Sequence, residues 1–405
     1  MDREVAEVIH PVACGLDVHS AILVACLVRS GPSGGPRYEE RSFPTALQGL
    51  RELRDWLFAS GCQVVGMEAT GVYWMPVFAA LEGHVQMTVG NPNHMQNLRG
   101  HKTDRKDAKW IAGLVRHDLI RPSFVPKQEF RDARELTRFR RQLIQARTSM
   151  RNEVQRLLAR QGITLGTVLS NVFGTSGMAI LESLAEGRSV VDELPKLIHH
   201  SVKKKLGMLT AALEAPLFPV PRKLLALQLK RLEVVEENIQ DVEGLIAAQM
   251  APHKQQLELL MSIPGISLTS ACVILAEIGV DMSVWPTEKH LSAWAGVAPG
   301  CREWRQNMRA AARKGNPYLC SALMECAIAA VKAKDCHLGG KYRHLCAQIG
   351  SKKKALMAIA RKLAVIIYRL MSKGATYQEP ISQPPPLSPA TVASRGTFAT
   401  SKNSV

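Results

Sequence analysis

The sequence lacks the features that mark secreted, membrane or zinc-binding proteins. Its nine cysteines include no Cys-x-x-Cys pair, which argues against a zinc site and favours reduced core thiols in a cytosolic protein. No apolar run approaches the length of a membrane span. Asp2, Arg3 and Glu4 precede only a short apolar run, so we expect no signal peptide. We therefore predict a cytoplasmic protein without a membrane partner.

Acidic residues are scarce compared with basic ones. The chain has 35 Asp and Glu against 52 Lys and Arg, which gives a formal net charge of +17. Residues 99–160 carry +10 and residues 301–373 carry +13, so the rest of the chain is net negative. Such segregation favours a polyanionic partner, and two basic surfaces suit nucleic acid better than a membrane. Ordinary solvated helix faces are the alternative.

Four of the acids stand where a carboxylate is hard to explain structurally. Asp17 interrupts one apolar run and Glu68 ends another, although acids are depleted in strands and costly to bury unpaired. Asp104 and Asp107 are three residues apart at the start of a helical pattern, so their side chains share one face. Two strand acids and a helical pair are the arrangement that holds two divalent ions for phosphodiester chemistry. We therefore predict a Mg²⁺ site.

Each acid also has a simpler explanation. Asp104 is suited to cap a helix with Asp107 at the third position, because acids are favoured in a first helical turn. Asp17 and Glu68 are suited to strand ends, solvated or paired with an arginine. The combination favours the metal site, because one fold would bring all four acids together.

Apolar periodicity predicts an N-terminal α/β domain over residues 8–125. A helix capped by Thr45 is expected after the third strand, and two further helices at about 72–82 and from about 104 to 118. Three strands followed by alternating helix and strand is the order expected of a ribonuclease-H-like, RuvC-like domain with a mixed sheet. The expected strands lie near residues 12–18, 21–28, 37–43, 63–68 and 85–89.

The rest of the chain is predicted to be all-α. In residues 126–255 two apolar seams with alternating spacings of three and four indicate long helices, either a coiled coil or an ordinary helical bundle. The sequence leaves open whether they pair within the chain or across a dimer, and residues 161–220 are interpreted as a smaller helical insertion. The seams are Leu136, Phe139, Leu143, Ala146 and Met150, then Leu225, Leu229, Leu232, Val235, Ile239, Val242 and Ile246.

Residues 256–373 form a third predicted domain. The segment from Leu260 to Ser267, followed by an apolar helix, resembles a helix-hairpin-helix whose Pro-Gly turn would expose backbone N–H groups at Gly265 to a phosphate. A simple turn between two helices is the alternative. The tail, residues 374–405, is rich in proline and hydroxyl residues and is predicted to be disordered.

Six motifs follow one another along residues 10–373. They are Gly15-Leu16-Asp17, Met67-Glu68-Ala69-Thr70-Gly71-Val72-Tyr73, His101-Lys102-Thr103-Asp104-Arg105-Lys106-Asp107-Ala108, Ile263-Pro264-Gly265-Ile266, Ala293-Trp294-Ala295-Gly296-Val297-Ala298-Pro299 and Lys314-Gly315-Asn316-Pro317. In order and spacing they resemble the motifs of insertion-sequence transposases related to the Piv and MooV DNA invertases. That family joins a RuvC-like domain with a DEDD metal tetrad to a C-terminal serine transposase domain.

The resemblance implies that Asp17, Glu68, Asp104 and Asp107 bind Mg²⁺ and that the protein cuts and rejoins DNA at element ends and in a target. It also implies a structured guide RNA that pairs with both DNAs, while the basic surfaces hold backbone. A homo-oligomer, dimer or tetramer, in the bacterial nucleoid is expected. The predicted nucleic-acid contacts are Lys102, Arg105, Lys106, Gly265, Arg313 and Lys314.

One position departs from the family pattern. The family places a nucleophilic serine shortly after the Gly-x-x-Pro segment, usually behind a glutamate, whereas Glu303 is followed by Trp304. An indole has no nucleophilic oxygen, and Cys301 comes three residues early. The chain is therefore predicted to be a transposase with a possible defect in strand exchange. The alternatives are a RuvC-like structure-specific nuclease, which needs the tetrad alone, and a non-catalytic binder of DNA or RNA.

Overall fold

The computed structural model describes residues 7–31, 35–92, 95, 107–299, 315–334 and 336–379. The chain divides into two compact units, Met1–Val125 and Pro126–Val405. A mixed sheet characterises the first unit, and helices make up the second. Within the described ranges, no helix combines the length and apolar character that a membrane crossing requires.

A five-stranded mixed sheet forms the centre of the first unit. Its order is β3-β2-β1-β4-β5, in which β1, β2 and β3 are antiparallel neighbours and β4 and β5 run parallel to β1. All five predicted strands are found, with ends within two residues of the prediction. The strands are β1 (Val12–Val18), β2 (Ile22–Ser30), β3 (Pro36–Pro44), β4 (Val64–Glu68) and β5 (Gln86–Gly90).

Helices cover both faces of this sheet. α1 (Leu47–Ala59) and α2 (Trp74–Leu81) pack on the face that carries Cys14 and Leu16. α3 (Asp107–Arg116) packs on the opposite face, against Ala13 and its neighbours. Because β1 is buried on both faces, its sequence is a nearly continuous apolar run rather than an alternating one.

The start of α1 differs from the prediction. The N-cap is Ala46, without a side-chain cap, so Thr45 does not cap the helix. The Thr45 hydroxyl instead donates a hydrogen bond of 2.8 Å to the carbonyl of Ser20, which fixes the entry to α1 against the β1–β2 turn. A threonine before an apolar run marks a capping residue type, but its partner depends on the tertiary structure.

Two long helices, α4 (Gln128–Arg160) and α9 (Pro219–Met250), pack against each other in the second unit. Ion pairs join them, including Arg140 with Glu243 at 2.5 Å. The two helices therefore pair within one chain. Six of the seven predicted α9 seam residues are buried, whereas none of the five predicted α4 seam residues is buried and Phe139 is 48% exposed, so the predicted α4 seam is wrong.

Residues 161–220 fold as the predicted helical insertion with its own apolar core. Ile180, Leu181 and Leu194 are fully buried there, and Leu225 of α9 closes the same core. The insertion contains α5 (Leu165–Val168), α6 (Thr175–Glu186), α7 (Val190–Leu197), the 3₁₀ helix His200–Lys205 and α8 (Leu206–Ala212).

In the described residues, six further α-helices and the short 3₁₀ helices Ala251–His253 and Met282–Val284 complete the second unit. They belong to the same compact unit as the long helices, and α11 (Leu268–Ile278) packs directly on α4. The helices are α10 (Lys254–Met261), α11 (Leu268–Ile278), α12 (Glu288–Trp294), α13 (Pro317–Ala330), α14 (His337–Ile349) and α15 (Lys352–Lys373).

The predicted disordered tail begins as a docked segment. Gly374 ends α15 in the left-handed conformation, as a C-terminal glycine commonly does. The backbone N–H of Tyr377 then donates to the Ser262 hydroxyl at 2.9 Å, and the Glu379 carboxylate accepts a hydrogen bond from the His337 backbone. Residues 375–379 are therefore held by the helices, and the remainder of the tail lies outside the described residues.

Candidate functional site

Asp17 and Glu68 lie side by side at one edge of the sheet. β1 and β4 are parallel with Leu16 opposite Met67, so the two acids occupy the next position of the same ladder. Side chains at equal levels of neighbouring parallel strands point to the same face. The sheet therefore brings together two acids that are 51 residues apart in the sequence.

A glycine stands two residues before each of these acids and lets α3 approach the same face. A Cβ on Gly15 would lie 2.2 Å from the carbonyl oxygen of Ala108 and from the backbone N of Ala112. A Cβ on Gly66 would lie 2.2 Å from Cγ2 of Val115. Because alternate strand residues share a face, the carboxylates lie on the helix-covered side.

α3 is oriented with its first turn toward the acids. The carbonyl of Arg116, at its end, accepts hydrogen bonds from the N–H groups of Ile9 and His10 at 3.1 and 3.0 Å. These residues directly precede β1, so α3 runs antiparallel to that strand. Asp107, its first residue, therefore lies toward the end of β1 that carries Asp17.

The electrostatics of Asp17 support this assembly. Burial raises the pKa of the Asp17 carboxyl, the nearby His19 opposes that shift, and the negative charges of Asp107 and Glu68 raise it further. Asp107 and Glu68 are therefore each close enough to repel Asp17. Such a cluster is stabilised by positive charge, which a bound divalent cation would supply.

Two polar neighbours of the acids were not predicted as site residues from the sequence. Nε2 of His19 lies 3.2 Å from Oδ2 of Asp17, and the Thr70 hydroxyl donates a hydrogen bond of 2.7 Å to Oε1 of Glu68. Each follows its acid by two residues, just beyond the strand end. That spacing is the only signal in the sequence, and Thr70 already belongs to one of the quoted motifs.

The structure describes three of the four predicted metal ligands. Asp17, Glu68 and Asp107 lie toward the same edge of the sheet without forming a three-ligand metal group, whereas Asp104 lies outside the described residues. Within the described ranges, no three His, Cys, Asp or Glu side chains form a group that could hold a metal ion. The predicted residues that also lie outside them are Lys102, Arg105, Lys106, Cys301, Trp304, Arg313 and Lys314.

Gly265 has a packing role in the described structure. Its φ is +87°, and a Cβ there would lie 2.4 Å from the backbone N of Ala330 and 2.6 Å from the carbonyl of Cys326. The turn between α10 and α11 therefore packs directly on α13, which explains the glycine without a ligand. Contact between this turn and a phosphate stays a prediction.

One C-terminal motif reaches a buried glutamate that the sequence prediction did not single out. Glu277 of α11 is fully buried, and its carboxylate binds Arg138 through two hydrogen bonds of 2.9 Å. Arg134 lies 3.2 Å from it, and Nδ2 of Asn316 donates to it at 2.7 Å. Burial lowers the pKa of Arg134 to about 10, although Glu277 opposes the shift.

In the Lys314-Gly315-Asn316-Pro317 motif, Gly315 and Asn316 have structural roles. The Asn316 side chain caps α13 by accepting from the N–H groups of Tyr318 and Leu319, and its backbone N–H donates to the Trp294 carbonyl at 2.8 Å. A Cβ on Gly315 would lie 2.3 Å from the backbone N of Gly296. Two of the quoted motifs therefore form one packed substructure.

Two family models match this chain. Residues 14–162 match the IS110 DEDD model, which is described as "Transposase". Residues 257–343 match a model described as "Transposase IS116/IS110/IS902 family". The first match contains all four predicted acids, and the second contains Glu277 and Asn316.

Curated relatives agree with these models. The transposase for insertion sequence element IS1111A of Coxiella burnetii is 25% identical over 325 residues, 78% of this chain and 79% of the relative. A probable family 20 transposase of Pseudomonas aeruginosa is 25% identical over 334 residues, 81% and 89% of the two chains. An uncharacterized 43.6 kDa protein of insertion element IS110 from Streptomyces coelicolor is 28% identical over 149 residues, 36% of each chain.

Proposed function

Because this chain belongs to the IS110/IS116 family of transposases, we propose that it moves an insertion sequence by cutting and rejoining DNA at a Mg²⁺ site. The ligands are Asp17, Glu68, Asp104 and Asp107. The observation that carries the proposal is that two strand-end acids and the first residue of α3 lie toward one edge of the sheet, where Asp107 and Glu68 both act on Asp17. The strand order β3-β2-β1-β4-β5 is consistent with a ribonuclease-H-like, RuvC-like domain.

The donor chemistry of the four proposed ligands suits a magnesium ion. The ligand set contains only carboxylate oxygens, which a hard divalent cation prefers. The charges of Glu68 and Asp107 raise the pKa of Asp17, after the larger effect of burial, so the acids repel one another without a cation. Held by these four acids, divalent ions would supply the positive charge that stabilises negative charge developing on a phosphodiester.

The protein's own groups position these acids. The Thr70 hydroxyl orients the Glu68 carboxylate by donating a hydrogen bond to its Oε1. His19 holds Oδ2 of Asp17 at the exposed rim of the sheet. Gly15 brings the backbone of α3 against β1, and Gly66 leaves room for the Val115 side chain of the same helix, so both set the height of Asp107 above the strands.

The basic segments are the proposed nucleic-acid surfaces. Residues 99–160 and 301–373 carry the whole net positive charge of the chain, which suits DNA ends, target DNA and a structured guide RNA. Base pairing would select the sequence while Lys and Arg bind backbone. A homo-oligomer in the nucleoid follows from this proposal. Binding should weaken steeply between about 50 and 200 mM salt.

Piv-type invertases are expected to use a nucleophilic serine. We propose that this step is missing here, because Trp304 stands at the position of that serine. A tryptophan cannot attack a phosphodiester, so this copy would bind metal and DNA without forming a covalent serine link. If the missing hydroxyl is the only defect, Trp304→Ser should produce a denaturation-resistant protein–DNA adduct. Absence of any adduct from that variant would refute a single defect at this position.

Replacing Asp107 tests the metal site. Asp107→Asn should weaken Mn²⁺ or Mg²⁺ binding in calorimetry by at least tenfold and abolish cleavage of element-end DNA, while DNA affinity changes little. The matched control is Asp118→Asn, which changes an exposed acid just beyond the other end of α3. Equal metal affinity in wild type and the Asp107 variant would refute the proposed ligand set.

Covalent trapping on DNA and the choice of DNA substrate distinguish the transposase from the two alternative functions. A structure-specific nuclease would cut branched DNA with Mg²⁺ and never form an adduct, even with Trp304→Ser. A non-catalytic binder would retain salt-dependent binding but turn over neither branched nor linear DNA. Joining of element ends to a target by the wild-type protein would exclude both alternatives.

A further inference from the structure

The helical insertion of the second unit carries a basic patch of its own. Residues 161–220 are neutral overall, because four lysines and Arg188 balance five acids. All four lysines lie within residues 196–205, which contain no acid, so the remainder of the insertion is net negative. This segment lies outside both family models. The insertion patch is defined as Lys196, His199, His200, Lys203 and Lys204.

The fold turns the insertion patch toward solvent. The patch spans the end of α7 and the 3₁₀ helix His200–Lys205, and its five residues are all exposed. Because the apolar residues of the same elements face the insertion core, the basic residues between them face outward. The buried apolar residues are Leu194, Ile198 and Leu209.

Two hydrogen bonds anchor the segment that carries the patch. The backbone N–H of His199 donates to the Ser176 hydroxyl at 2.8 Å, which fixes the start of the 3₁₀ helix. At its end, Nζ of Lys205 donates to the Val168 carbonyl at 2.7 Å. Lys205 therefore holds the segment in place, and the other three lysines project from an anchored backbone.

Those three lysines have no counter-charge. In the part of the chain that the structure describes, Lys196, Lys203 and Lys204 form no ion pair and no hydrogen bond through their side chains. Arg188 of the same insertion, by contrast, pairs with Glu186 and Glu193 at 2.6 and 3.2 Å. Neighbouring like charges repel one another, and a bound polyanion would remove this repulsion.

Helix ends explain the lysines only in part. A lysine is favoured in the last turn of a helix, where Lys203 and Lys204 lie in the 3₁₀ helix. However, α8 begins at Leu206, directly after these lysines, and positive charge is unfavourable next to the start of a helix. The two effects oppose each other, so local helix electrostatics do not account for the patch.

We propose that the insertion patch binds the sugar-phosphate backbone of a nucleic-acid duplex. The inference rests on the proposed function, because that function makes nucleic acid the partner of this chain with its net charge of +17. Lysine is suited to backbone phosphates, which carry most of the electrostatic affinity for nucleic acid.

The composition of the segment favours a duplex. Binding of single strands relies on aromatic side chains that stack with bases, and residues 196–205 contain no Phe, Tyr or Trp. Even fully extended, residues 196–204 would span at most about 28 Å, so their lysines can contact one turn of a duplex. Glu182 and Glu186 line a cleft against α9 with further glutamates, which would repel the same backbone.

Neutralising two lysines tests the patch. In the full-length protein without metal, Lys203→Gln with Lys204→Gln should reduce the slope of log affinity against log salt concentration by about two, because each phosphate contact contributes about 0.9. At 100 mM salt this corresponds to an affinity loss between about tenfold and a hundredfold. Circular dichroism and Tm check that the variant is folded.

The matched control removes the same charge elsewhere. Lys230→Gln with Lys254→Gln changes two exposed lysines that have glutamates nearby, and it should leave the slope nearly unchanged. An equal reduction in this control would show a general effect of net charge and would overturn the proposal.

Duplex DNA and duplex RNA of the same sequence distinguish the two sources of backbone. A reduced slope with either probe supports the patch and identifies the duplex that it binds. Unchanged slopes with both probes, the result expected if the patch serves an acidic protein, would overturn the proposal. Failure of the wild-type protein to bind any nucleic acid would refute the proposed function as well, whereas unchanged slopes refute the patch alone.

Cross-linking provides a second measurement. A photoactivatable label on Lys203→Cys should cross-link to the duplex that the slopes identify, above the background of the labelled wild-type cysteines. The same label on Lys230→Cys should not. Equal cross-linking from both positions would contradict a contact at the insertion patch. Neither measurement depends on metal binding or on DNA cleavage.

Discussion

Gly15→Ala is the substitution that most directly tests how the fold builds the acidic edge. The added Cβ would lie 2.2 Å from two backbone atoms of α3, the carbonyl oxygen of Ala108 and the N of Ala112. Neither atom can rotate away as a side chain could. The helix must therefore shift as a body, and it carries Asp107 with it.

The size of the shift follows from these contacts. Ordinary carbon contacts begin at about 3.4 Å, so α3 must move by about 1 Å away from β1. Overpacking of this kind costs about 1–3 kcal/mol of folding stability, and a rigid backbone contact places the cost toward the upper end. A metal site tolerates about 0.2 Å in its ligand distances, so the same shift should lower Mg²⁺ affinity.

The assay pairs urea unfolding with calorimetric Mn²⁺ or Mg²⁺ titration. Gly113→Ala is the matched control, because Gly113 lies in the same helix and its added Cβ would meet nothing within 4 Å. That variant should gain up to about 1 kcal/mol from helix propensity and bind metal normally. If Gly15→Ala retained both stability and metal affinity, α3 would not rest on β1 as described.

Two further predictions concern buried polar groups. Glu277→Ala should lower the free energy of unfolding in urea by about 3–5 kcal/mol, because it leaves the half-buried Arg134 guanidinium without its carboxylate. Glu258→Ala removes an exposed helical ion pair and should lower it by less than about 0.5 kcal/mol. Similar losses in both variants would contradict the buried network. Burial raises the pKa of the Cys14 thiol well above its usual range, so Cys14 should resist iodoacetamide at pH 8 while the half-exposed Cys346 reacts. Mass spectrometry of the folded protein would show equal labelling of both if this reasoning were wrong.

The strands of the first unit were predictable because their burial leaves a direct trace in the sequence. β1 is apolar throughout since it is covered on both faces, and Asp17 stands out against that background. The register could not be predicted, because the sequence does not state that β1 and β4 are neighbours. Only the sheet order places Glu68 beside Asp17.

The helical unit was predicted less completely. Most of the α9 seam is buried as expected, since its apolar residues lie against both α4 and the insertion. None of the predicted α4 seam residues is buried, and Phe139 is exposed, because spacing alone does not give which face of a helix its partner covers. Glu277 gave no signal, since a single acid in an apolar helix is recognisable as buried only once its arginines are located.

Asp17→Asn should separate the stability of the protein from its metal binding. The pKa of Asp17 is raised in the folded protein, first by burial and then by Asp107 and Glu68, against the effect of His19. An acid with a raised folded pKa lowers stability at neutral pH, and this loss disappears as the pH falls through that pKa. Without metal and at pH 7, Asp17→Asn should therefore raise Tm, whereas it should weaken Mg²⁺ binding. Asp118→Asn should change neither, and a lower Tm for Asp17→Asn would show that the acids do not repel one another as described.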